Sequence, residues 1–187
     1  MNKREKLIQT AFELFYKHGF HAVGINQILK ESGIAKKTLY SYFESKEQLV
    51  CEVVSYRDKI FINWLKTRLD GVKKGLPAIE VFFDALDDWF NSRVDVLMDF
   101  RGCFFINACA EFSNHEVNQR CLAHKEKVSH LIEQHVRQLN ISNDNVATVT
   151  EVLCFLKEGA ISQAYVLGDL EAAQKAKKIA LKIIALS

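Results

Sequence analysis

Apolar residues recur along this chain at spacings of three and four almost from end to end, the period of a helix with one buried face. Leu7, Ile8, Ala11, Phe12, Leu14 and Phe15 form the first such stripe and predict a helix over Lys3–His18, with Asn2 and Glu5 at capping-box spacing. Gly19 ends it, and Phe20 can close back on Phe15. Ile25, Ile28 and Leu29 predict a short second helix. Gly33 followed by Ile34 fits a Schellman cap in which Ile34 packs on Leu29. A third short helix, roughly Lys36–Phe43, buries Leu39 and Phe43 and shows its polar residues outward. Ser45, Lys46, Glu47 and Gln48 read as another capping box, so a long helix opens at Lys46 and runs to about Leu69.

The segment Asp70–Pro77 is the clearest break. Helical patterns resume over about Ala78–Ser92, Gly102–Phe112, Glu116–Leu139, Asp144–Leu167 and Leu170–Leu186, with Asp169 able to cap the last. No alternating strand pattern, internal repeat or low-complexity tract is visible, so the expected fold class is all-α. Small and apolar residues crowd the last two helices: Val149, Leu153, Leu156, Ala160, Ala164 and Leu167 on one, Ala173, Ala176, Ile179, Ala180, Ile183 and Ile184 on the other. Such residues at helical spacing permit close helix approach. Spacing alone leaves open whether these faces cover the chain's own core or form a four-helix seam with a second copy.

With 187 residues, 49% of them hydrophobic, the chain can bury a sizeable core and hold a small domain beside a larger one. The net charge of +2 is unevenly spread: residues 1–50 carry eight Lys/Arg against five Asp/Glu, the rest seventeen against eighteen. Five scattered cysteines and no signal-peptide pattern in the opening residues suggest a reduced, cytoplasmic protein. No stretch approaches the roughly 18 consecutive apolar residues of a membrane span, so no membrane partner is expected.

The mild basic excess falls on the most legible chemistry. Lys36 and Lys37 stand at the positive end of a short helix, which is locally unfavourable unless that end meets phosphates. A short exposed helix carrying Lys, Thr, Ser and Tyr, braced by a preceding helix, is what reading the major groove requires. At these residues Ile8–Val50 resembles the TetR family of transcriptional regulators: Thr10-Ala11, Leu14-Phe15, Gly19-Phe20, Ile28, Gly33, Lys37-Thr38-Leu39-Tyr40-Ser41-Tyr42-Phe43 and Lys46-Glu47-Gln48-Leu49 carry the likeness. The rest of the chain is similar to the family in length, helicity and order of segments. Lys37 stands where many members have Gly, and Tyr42 where many have His, so the operator sequence does not follow from the resemblance.

The resemblance implies an N-terminal three-helix helix-turn-helix DNA-binding domain at residues 1–50, extending into the helix 46–69. A C-terminal helical domain for ligand binding and dimerisation would occupy 51–187. Lys36, Lys37, Thr38, Tyr40, Ser41, Tyr42 and Lys46 are the expected contacts to a palindromic operator in double-stranded DNA. Thr38 suits a base edge, and Lys46 a backbone phosphate. Dimerisation through the last two helices would use Leu153, Ala160, Ala164, Leu167, Ala176, Ile179, Ala180 and Ile183.

Rings cluster in the middle of the chain, and a bundle rich in them can leave an apolar cavity, although core packing suits any single ring better. With the resemblance, Phe61, Trp64, Phe82, Trp89, Phe90, Cys103, Phe104, Phe112 and Phe155 are the expected lining for a hydrophobic or aromatic small-molecule effector. Cys103 near a helix N-terminus raises thiol-redox gating as an alternative, set against the usual inert buried cysteine. Cys121 and His124 offer half a metal site with no other half, so no metal is expected. Asp84, Asp87 and Asp88 are the one carboxylate cluster an all-α enzyme could use through magnesium, but a second acidic motif is missing and a solvated helix face fits better. No Gly-rich phosphate loop or nucleophile–base spacing is legible, and neither enzyme activity nor a cofactor is expected. The expected function is a homodimeric, ligand-released repressor. An effector wedged against the Lys46–Leu69 helix would move the reading helices off successive major grooves, about 34–36 Å apart.

Overall fold

The computed structural model describes residues 2–112 and 115–187. Among these the chain forms nine α-helices and no strand: α1 Lys3–His18, α2 Ile25–Ser32, α3 Lys36–Tyr42, α4 Lys46–Leu69, α5 Leu76–Phe90, α6 Phe104–Glu111, α7 His115–Val136, α8 Asn143–Val166 and α9 Ala172–Ala185. The all-α expectation holds, and α1 and α4 begin and end where their caps and patterns put them. α5 opens two residues ahead of expectation because Pro77 sits in its first turn, where a missing N–H is harmless. A 3-10 turn at Asp95–Leu97 falls in a stretch to which periodicity assigned nothing. No helix among the described residues is long and apolar enough to cross a membrane.

The chain divides into two compact units, one of residues up to Lys59 with Cys103–His124, the other Ile60–Gly102 with Lys125–Ser187. The expected division at residue 50 differs from this one, since α6 and the start of α7 belong to the first unit. Aromatic packing is the reason. The Phe104 ring on α6 lies 5.5 Å from Phe12, 5.9 Å from Tyr16 and 5.0 Å from Phe20, and Phe112 meets Phe20 edge-on at 5.7 Å. Cys103, Phe104 and Phe112, expected around an effector, are buried in this unit's own core. Arg57 is buried here too, its guanidinium 5.4 Å from the Phe12 ring centroid and 5.2 Å from that of Tyr16. Burial pushes its pKa down, against the raising pull of Tyr16 and Cys103. His124 bonds Asp58 through Nδ1 at 2.9 Å and stacks on Phe105 at 3.5 Å. Cys121 is buried, and no group of three metal-ligating side chains exists among the described residues.

In the second unit α9 packs against α5 and α8. Leu153, Ala160, Ala164, Ala176 and Ala180 are all buried within the one chain. Ala160 and Ala176 also line an open groove between α8 and α9, where small side chains allow the two helices to approach closely. Of the expected seam residues, Leu167 and Ile179 are exposed and Ile183 is half-buried. Phe155 and Val166 on α8 also face outward, 64% and 71% exposed. Inside the unit Trp89 is ringed by Phe61 at 5.3 Å, Phe90 at 5.6 Å and Phe100 at 5.0 Å, and Trp64 packs on Phe61 at 5.2 Å. Asp84 accepts from Gln174 at 2.9 Å and from Lys177 at 2.8 Å. Asp87 pairs with Arg93, and Asp88 pairs with both Arg68 and Arg93. The acidic cluster is thus a set of ion pairs tying segments of the unit together.

Candidate nucleic-acid interface

The reading pair is built from local signals. α1 buries Leu7, Ala11 and Phe15, and its capping box is present: Glu5 N–H donates to Asn2 Oδ1 at 2.8 Å and Asn2 N–H to Glu5 Oε2 at 3.0 Å. Phe20 stacks on Phe15 at 5.1 Å as expected. α2 ends at Gly33 in the left-handed region (φ 66°), whose N–H donates to Leu29 O at 2.9 Å. The Ile34 N–H goes to Ser32 Oγ at 3.3 Å and not to a helix carbonyl. This is the single-bond left-handed cap in place of the expected Schellman pair, because the Ser32 hydroxyl takes the second donor. Buried Leu39 and Phe43 pin α3 underneath, while Lys36, Lys37, Tyr40, Ser41 and Tyr42 are exposed and Thr38 is half-buried.

The outward face of α3 is electropositive and rich in donors. Its first turn holds two lysines and no acid, and Ala35 supplies no side-chain cap to its free N–H groups. The Lys36 ammonium lies 6.0 Å from the Tyr40 ring centroid. Ser41 Oγ donates to Thr38 O at 2.7 Å, which leaves its lone pairs facing outward interactions as acceptors. At the start of α4, Ser45 Oγ accepts from Gln48 N–H at 3.1 Å, while Gln48 Oε1 accepts from Glu44 N–H at 2.6 Å, one residue earlier than a strict capping box.

Lys46 has a role beyond the expected phosphate contact. Its Nζ donates to the Phe20 carbonyl at 2.7 Å, with the Phe15 ring centroid 5.8 Å away. Burial pushes its pKa down from the ordinary lysine range, against the raising effect of Glu47 and Glu111. One of three ammonium donors is committed to the turn between α1 and α2, and two are left for an anion.

Sequence reasoning missed the residues on the other side of that turn. Glu111, the last residue of α6, accepts from Phe20 N–H at 3.0 Å through Oε1 and from His21 N–H at 2.6 Å through Oε2. His21 Nε2 stands 2.5 Å from the Glu111 carbonyl oxygen, and its ring stacks on Phe112 at 5.1 Å. A pairing across some 90 residues leaves no local signal in the sequence.

The remaining expected site residues separate. Phe61, Trp64, Trp89 and Phe90 stay together as packed rings, and Phe82 borders a void of about 10 Å³ shared with Leu69 and His135, room for about one water. Phe155 instead lines a groove of about 400 Å³ between α8 and α9, with Val152, Gly159, Lys175 and Ile179.

Residues 7–53 match the family model described as bacterial regulatory proteins, tetR family. Over 96 residues the chain is 38% identical to the uncharacterized HTH-type transcriptional regulator YxaF of Bacillus subtilis (strain 168), spanning 51% of this chain and 50% of that protein. It is 27% identical over 162 residues to the HTH-type transcriptional regulator LmrA of the same organism, covering 86% of this chain and 85% of LmrA. Among solved structures, a TetR-family transcriptional regulator from Streptomyces coelicolor superposes with a TM-score of 0.85 at 24% identity, over 98% of this chain and 94% of that one. The reduced form of E. coli NemR superposes with a TM-score of 0.83 at 22% identity, over 96% and 95%.

Proposed function

We propose, from the premise that this chain belongs to the TetR family of transcriptional regulators, that it is a homodimeric repressor released from its operator by a small hydrophobic or aromatic molecule in the cytoplasm. That it is a helix-turn-helix regulator and not an enzyme follows from its relatives; the direction of regulation and the release are the proposal. The observation that carries it is the α3 face: Lys36, Lys37, Tyr40, Ser41 and Tyr42 exposed above buried Leu39 and Phe43, on a helix held by the Gly33 turn. That geometry suits insertion into a major groove, with Thr38 toward base edges and the lysines toward phosphates.

Dimerisation is supported by the outward face of α8 and α9, where exposed Phe155 and Ile179 line the 400 Å³ groove and Val166 and Leu167 are exposed at the end of α8. A second copy presenting the same face would fill the groove and remove this apolar surface from water. Two protomers would then present two α3 helices to a two-fold operator. The test is a mobility shift with duplex DNA from upstream of the chain's own gene, followed by titration with candidate metabolites. A retarded band that a metabolite abolishes supports a ligand-released repressor. No shift on any upstream DNA refutes operator binding, and a shift that no metabolite relieves refutes release.

A further inference from the structure

The turn between α1 and α2 is held from two sides by groups far apart in sequence. From one side the Glu111 carboxylate takes the N–H groups of Phe20 and His21, at 3.0 and 2.6 Å; from the other the Lys46 ammonium takes the Phe20 carbonyl at 2.7 Å. The Phe20 peptide is therefore bonded at both its N–H and its C=O by opposite charges, one ending α6 and one opening α4. A carboxylate on two backbone N–H groups is a charge-assisted bidentate arrangement, stronger and more directional than neutral hydrogen bonds. Gly19 immediately before it has φ 88°, and a Cβ there would lie 3.4 Å from Glu111 Oε1, so the carboxylate sits close over the turn. The His21–Phe112 stack and the His21 Nε2 contact to the Glu111 carbonyl at 2.5 Å hold the same junction along the backbone.

We infer that Glu111 is a positioning residue for DNA recognition: it fixes the turn from which α2 and α3 hang, and so sets the angle at which α3 is presented to the groove. The inference rests on the operator-binding reading above. The turn's own sequence, Gly19 to Gly24, holds two glycines and gives the junction little stiffness, so the angle depends on what grips the turn. α6 supplies one of the two grips. A displacement of its C-terminal end is handed to α2 and α3 through two hydrogen bonds, without any need for α3 itself to unfold. Glu111 touches no DNA in this arrangement and acts through Phe20 and His21.

The test uses the full-length protein and an operator selected by the wild type from randomised duplex DNA. Glu111→Ala should weaken operator binding about tenfold, while binding to random duplex at the same salt changes less than about twofold. Glu111→Gln, which keeps one acceptor, should fall between Glu111→Ala and wild type. Amide hydrogen exchange should accelerate at Phe20 and His21 in Glu111→Ala and stay slow at Leu39. A merely structural role would lower specific and random binding together and speed exchange at Leu39 as well; that result overturns the inference. Equal operator affinity in all three proteins overturns it too. If the wild type selects no sequence, the operator-binding reading itself fails, a different outcome from loss of the Glu111 effect.

Discussion

The α3 reading helix and the α8–α9 pair pose the same question with opposite results. Each carries an amphipathic pattern that says which residues share a face. On α3 the pattern also said which face is outward: Leu39 and Phe43 are buried, and Lys36, Lys37, Ser41 and Tyr42 are exposed. On α8 and α9 it did not. The small residues Ala160, Ala164, Ala176 and Ala180 are all buried, yet Ala160 and Ala176 also line the open α8–α9 groove beside the exposed Phe155 and Ile179. The polar residues of α3 leave one buried choice, whereas α8 is apolar on two faces and only a neighbouring helix decides which one the protomer covers.

The largest effect expected is at the buried side of α8. Ala164→Arg would place an unpaired charge at a buried position of the second unit, costing about 3–5 kcal/mol, and thermal melting followed by circular dichroism should show that unit destabilised outright. A variant that melts like wild type would mean Ala164 does not face the protomer's core. On the outward side, Val166→Asp should leave melting within about 0.5 kcal/mol of wild type, since the residue is 71% exposed, yet yield monomers in sedimentation. A Val166→Asp protein that remains dimeric moves the seam elsewhere.

Within the reading unit, Thr38→Ala should cost about 1 kcal/mol on the operator, with little change on random DNA and an unaltered salt slope. Lys46→Ala should weaken both DNAs, reduce the salt slope by about one per subunit, and also loosen the turn, because the Phe20 carbonyl loses its donor. Titrating both variants on both DNAs across a salt series separates the roles, and a slope change in Thr38→Ala would reverse them.

The smallest effect expected is a pH dependence in the second unit. Burial, with Lys74 adding to it, pushes the His135 pKa below the ordinary histidine value, and its Nδ1 is buried with no hydrogen-bond partner among the described residues. The unfolded chain then binds the proton more tightly than the folded one. Stability is full above the unfolded value of about 6.5 and declines as pH falls through the lower folded value. Melting temperature measured from pH 8 to pH 5 should fall more in wild type than in His135→Leu; parallel profiles would assign the acid sensitivity to other groups.

The sequence by itself determined the helices and the local chemistry of the reading pair. The Asn2–Glu5 capping box, the Gly33 turn and the α4 boundaries involve residues within a few positions of one another, so composition and spacing suffice to specify them. Tertiary structure alone decided three things. Rings expected around a cavity were divided, Phe104 and Phe112 joining Phe20 in one core while Trp89 joined Phe61 and Phe100 in another. Ala160, Ala164, Ala176 and Ala180 on α8 and α9 were all buried, and Ala160 and Ala176 were also left lining the groove between those helices. Glu111 was brought to the Phe20–His21 turn, and Lys46 to its opposite side. In each case the partner lies tens of residues away, and hydrophobicity or charge states what a side chain needs without stating which distant group supplies it.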